Sequence, residues 1–112
     1  MMVVGDKDLL PPGTRHAWQQ AGIELAGPMP PADFDIRLVS GMHGVLIHAA
    51  CDAQFMFDAS EMLEAASIPF LFVVPEQQIV ARQNPHVLGT RMEDIQAIVQ
   101  ELLRQYGSGV RH

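Results

Sequence analysis

Residues 68–74 read Ile68-Pro69-Phe70-Leu71-Phe72-Val73-Val74, and this run decides the fold. After the proline, apolar side chains follow one another with no alternation of polar and apolar positions. A strand with one wet face alternates; a strand covered on both faces of a parallel sheet does not need to. The run is far too short to span a bilayer. Outward from it, Val45 to Ile47 and Met1 to Val4 carry the same signature. Ile23 to Ala26 and His86 to Leu88 are weaker strand candidates.

Helical segments are expected between these strands. Gly13 to Ala21 follows Pro11 and Pro12 and stops at Gly22, the residue type that closes a helix in the left-handed conformation. Ala32 to Leu38 is read as a second short helix. Asp58 to Ala66 starts on Asp58 and Glu61 and ends before Pro69, because the residue before a proline avoids the helical region. Gln77 to Gln83 is ambiguous. The clearest helix is the last, where Thr90 and Glu93 form a capping box. Met92, Ile95, Ile98, Val99, Leu102, Leu103 and Tyr106 then repeat with a helical period up to Gly107. Strand and helix alternate five times, so the expected fold is α/β, a five-stranded parallel sheet with helices on both faces. The expected domain is 1–106, with 107–112 as a C-terminal tail.

Composition bounds the function. A chain of 112 residues, 48% hydrophobic, fits one domain with a real interior. It carries 7 Lys+Arg against 13 Asp+Glu, a formal net charge of -6, and no basic run. Binding to nucleic acid, which depends on neutralising phosphates, is therefore not expected. Cys51 is the single cysteine, so no internal disulfide can form. The start at Met1-Met2-Val3-Val4 lacks the charged leader of a signal peptide, and no membrane span is evident. A cytoplasmic location is expected.

In an open parallel sheet, ligands gather beyond the carboxyl ends of the strands. Here that rim is Gly5 and Asp6, His48, Val74 and Pro75, and Gly89. At these residues the chain resembles the CheY-like two-component receiver domain, in a degenerate form. Val3-Val4-Gly5-Asp6 is similar to its first strand, Ala21 to Pro28 to its second, Gly44-Val45-Leu46-Ile47-His48 to its third and Ile68 to Val74 to its fourth. The separation of His48 from Ile68 fits as well. The resemblance implies a flavodoxin-like sheet of strand order 2-1-3-4-5.

The resemblance also implies a phosphorylation pocket that has lost its chemistry. Gly5 stands in place of one of two acidic residues, leaving only Asp6. His48 replaces the acceptor Asp, Val74 the switch hydroxyl and Gly89 the phosphate-pairing Lys, while His86 takes the aromatic switch position. Magnesium needs hard oxygen ligands, which this set does not supply. No catalytic residue, no cofactor and no enzymatic activity are expected. The expected function is a phosphorylation-independent interaction module of bacterial two-component signalling that binds a signalling protein or itself. The family's output face is the fourth helix, fifth strand and last helix, where Arg91, Asp94 and Arg104 are candidate interface residues.

Other readings of the same residues stay open. A small-ligand or metal sensor would use the remodelled pocket around Asp6 and His48. Asp6, His48 and Cys51 carry atom types a zinc ion accepts, although they lack a tight ligand pair. A hydrogen-bonded histidine is the commoner outcome. Asp52 as the acceptor would require the third strand to continue through Cys51. Phe55, Met56 and Phe57, read as a loop before the third helix, cover the pocket, dock a partner or pack beneath that loop, and packing is preferred. Trp18 is expected half-buried on the first helix.

Overall fold

A computed structural model describes residues 1–6, 9–75 and 86–110, the last five as backbone alone. Its strands are β1 (Met2–Val4), β2 (Ala26–Met29), β3 (Val45–His48), β4 (Phe70–Pro75) and β5 (His86–Leu88). The sheet order is β2-β1-β3-β4-β5, and every pairing is parallel. Helices α1 (Pro12–Gln20), α2 (Ala53–Ala65) and α3 (Met92–Val110) accompany it, giving the flavodoxin-like α/β architecture.

The unbroken apolar runs find their reason in the two cores. Val3, Leu46, Val73 and Leu88 point to one face, where Trp18 of α1 and Ile95, Ile98 and Leu102 of α3 meet them. Their neighbours Met2, Val4, Val45 and Ile47 point to the other, against Ala59 and Leu63 of α2. Successive strand residues face opposite sides, so a sheet covered twice makes every position a core position. Each large apolar side chain withdrawn from water contributes roughly 1.5–3 kcal/mol.

Polar side chains from the helices finish the parts of the sheet that strands leave open. β5 begins opposite Val73, so it does not reach Phe70. Gln105 of α3 serves there instead: its Nε2 donates to the Phe70 carbonyl at 2.9 Å, and its Oε1 accepts from the Phe70 amide at 3.1 Å. On the opposite edge, Arg15 of α1 donates to the carbonyls of Leu25, at 2.6 Å, and Gly27. Pro28 is tolerated because β2 is an edge strand. A Cβ on Gly27 would lie 2.5 Å from the Val3 carbonyl oxygen, so only glycine fits this bulge.

Several local expectations are corrected. The second strand lies a few residues later than Ile23–Ala26, at Ala26–Met29. The helix expected over 32–38 is two 3-10 turns, Pro31–Asp33 and Ile36–Leu38. Asp35 between them is extended, and its carboxylate accepts the Arg37 amide, a local bond that competes with helix. That exposed carboxyl also binds the Arg37 guanidinium at 2.7 Å, which lowers its pKa to about 2.

The third expected helix starts earlier than Asp58. Asp52 accepts from the amides of Gln54 and Phe55, so Asp52 is the cap and Phe55, Met56 and Phe57 are helical. Gly107 does not stop α3, whose backbone continues to Val110. Gly107 and Gly109 each cost the helix only about 1 kcal/mol, and neither ends it. Trp18 is fully buried, where partial burial was expected. Gln77 to Gln83 lies outside the described residues. Within those residues, no helix is long and apolar enough to cross a membrane.

Candidate functional site

β1 and β3 are adjacent and parallel, so their carboxyl ends bring Gly5, Asp6 and His48 together. The turn after β1 is tight: the Gly5 amide donates to the Met29 carbonyl at 2.8 Å, and the Leu9 amide to the Asp6 carbonyl at 3.0 Å. Gly5 has φ +153°, and a Cβ there would lie 2.7 Å from the His48 Cβ and 2.9 Å from Leu9 Cδ2. Real Cβ atoms do not approach so closely. Glycine is thus the residue that lets His48 and Leu9 close over the end of β1.

His48 is buried, only 6% exposed, while Asp6 is exposed. The Cys51 amide donates to the His48 carbonyl at 3.0 Å, which turns the chain toward the Asp52 cap. Cys51 is half-buried, and its thiol pKa is raised, first by burial and then by the nearby Asp6 carboxylate. The sulfur therefore stays protonated at neutral pH and is a poor nucleophile. Asp52 is held as the α2 cap, outside the strand, which removes the alternative register. Among the described residues no three His, Cys, Asp or Glu side chains come together as metal ligands.

The far side of the rim is occupied by apolar groups and backbone. Val74 is buried near the end of β4, at 8% exposure, and offers no hydroxyl. His86 opens β5 opposite Val73 and is half-buried. Gly89 is buried, and its carbonyl accepts a 3.1 Å hydrogen bond from the Trp18 indole. An α1 side chain thus reaches across the core to fix the segment after β5.

The candidate interface residues already have partners inside one chain. Arg91 contacts Glu93 at 3.3 Å and Asp94 at 3.5 Å, and Arg104 pairs with Glu101. Beside them, Ala21 and Ile23 border an open groove along Met92, Ile95, Gln96, Val99 and Gln100 of α3.

The structure thus gathers Gly5, Asp6, His48 and Cys51 at one end of the sheet. It leaves Arg91, Asp94 and Arg104 on a separate helix surface. Sequence reading passes over Leu9 as the group that fills the space above Gly5. Its position just before the Pro11-Pro12 start of α1 was the available signal. No protein-family model, no curated protein and no solved structure matches the chain.

Proposed function

We propose that the chain is a receiver-like interaction module of bacterial two-component signalling, cytoplasmic, that works without phosphorylation. The reading is supported above all by the packing of Gly5 against His48. A phosphoryl-accepting site needs room and acidic oxygens at the ends of the first and third strands. Here a glycine, a buried imidazole and Leu9 take that room, and among the described residues Asp6 is the carboxylate left at the end of β1. Val74 and Gly89 supply neither the hydroxyl nor the ammonium that would hold a phosphoryl group.

With no chemistry at the strand ends, the work of the domain falls to its surfaces. It binds a signalling protein, or a second copy through β5 and α3. Incubation with Mg²⁺ and acetyl phosphate tests the reading. The intact mass should not change, and one added phosphoryl group on Asp6 or Asp52 would refute it.

A further inference from the structure

The outer line of α2 is built against the rules that stabilise an isolated helix. Ala59 and Leu63 face the core, fully buried. On the opposite line, Phe57, Glu61 and Glu64 follow at i, i+4 and i+7, flanked by Asp58. Phe57 is 60% exposed, and among the described phenylalanine and tryptophan rings it is the exposed one. A helix C-terminus favours cations, yet α2 places Glu61 and Glu64 in its C-terminal half and has no basic residue in its last turn. None of Asp58, Glu61 and Glu64 has an ion-pair partner among the described residues. No lysine or arginine occurs between Arg37 and Arg82.

We infer that this line is a docking face for a basic amphipathic helix of another protein. Phe57 offers the apolar anchor, and an arginine or lysine one turn along the partner pairs with Glu61, Glu64 or Asp58. An exposed aromatic ring ringed by carboxylates suits such a partner twice, through burial of the ring and through cation–π contact. Charge complementarity selects the occupant. A two-fold pair would set the same patch against itself, carboxylates facing carboxylates. Anionic lipid surfaces and nucleic acids are repelled for the same reason.

The inference rests on the reading of the chain as an interaction module and names its partner's chemistry. The test titrates the full chain into a fluorescent model peptide of leucine, lysine and arginine in helical repeat, followed by anisotropy. Saturable one-to-one binding is expected. Phe57→Ala, which keeps a strong helix former at an exposed position, should weaken it about tenfold or more. The pair Glu61→Gln with Glu64→Gln should do the same. The charge-matched pair Glu93→Gln with Glu101→Gln on α3 should change it no more than about twofold, as rim charges do.

Absence of saturable binding would overturn the proposal, as would equal losses from the α2 and α3 pairs, which would mean diffuse acidity. Sedimentation showing that Phe57→Ala dissociates a self-associated species would assign the face to a second copy and overturn it too. Phosphoryl uptake is read by mass at the strand ends, so its outcome is independent. Lost peptide binding with unchanged mass removes the docking face alone.

Discussion

Helices α2 and α3 cover opposite faces of one sheet, yet their outer surfaces are made differently. α3 places Glu93 and Asp94 in its first turn, where the helix dipole favours anions, and pairs Arg91 and Arg104 with its own carboxylates. α2 collects Asp58, Glu61 and Glu64 around an exposed Phe57 and offers them no cation among the described residues. Both helices bury a full apolar face, so the fold explains their inner lines equally well. Folding also explains the charges on the outer surface of α3, although Met92 and Leu103 are exposed there too. It does not explain the charges of α2, and a surface that folding leaves unexplained is where function is sought.

The largest expected effect lies on the inner lines. Ile98→Ala in α3 removes a fully buried side chain and should lower the unfolding free energy by about 2–5 kcal/mol in urea denaturation. Phe57→Ala on the outer line of α2 should change it by no more than about 0.5 kcal/mol. A large loss from Phe57→Ala would break the comparison, because the ring would then be structural.

Next in size is closure of the strand ends. Gly5→Ala drives a methyl group into His48 and Leu9 and should cost about 3 kcal/mol, from backbone strain and overpacking together. Thermal and urea unfolding of the variant measure it, and a neutral result would mean the end of β1 is open. Gln105→Ala follows, since it strips two hydrogen bonds from Phe70, with an expected loss of about 1–2 kcal/mol. The smallest effect has a diagnostic sign. Glu64→Lys on α2 should stabilise by about 0.5 kcal/mol through the helix dipole and Glu61, while Glu101→Gln on α3 should destabilise by about 0.3 kcal/mol. Equal signs in matched denaturation curves would erase the difference between the helices.

The sheet was legible because double burial leaves a mark on every residue of β1, β3 and β4, and parallel order followed from the alternation with helices. Less legible were elements fixed by one side chain. Asp52 competes with Asp58 as a helix start, and the hydrogen bonds to Gln54 and Phe55 decide between them. Asp35 breaks a plausible helix by bonding the Arg37 amide. At the candidate site, Gly5 and His48 were marked by their places at the ends of the expected first and third strands. Their mutual closure, with Leu9, is a matter of ångströms that no sequence pattern carries. The acidic line of α2 was hidden in an overall net charge, because which carboxylates share its outer line depends on where the helix begins.

The most direct measurement on the central claim follows the backbone amide signals of isotopically labelled protein as Mg²⁺ is added. With the end of β1 closed by His48 and Leu9 and, among the described residues, Asp6 alone offering a carboxylate there, the signals of Gly5, Asp6, His48 and Gly89 should not move. A saturable shift confined to those residues would mean that the strand ends still form a metal site, and would contradict the claim.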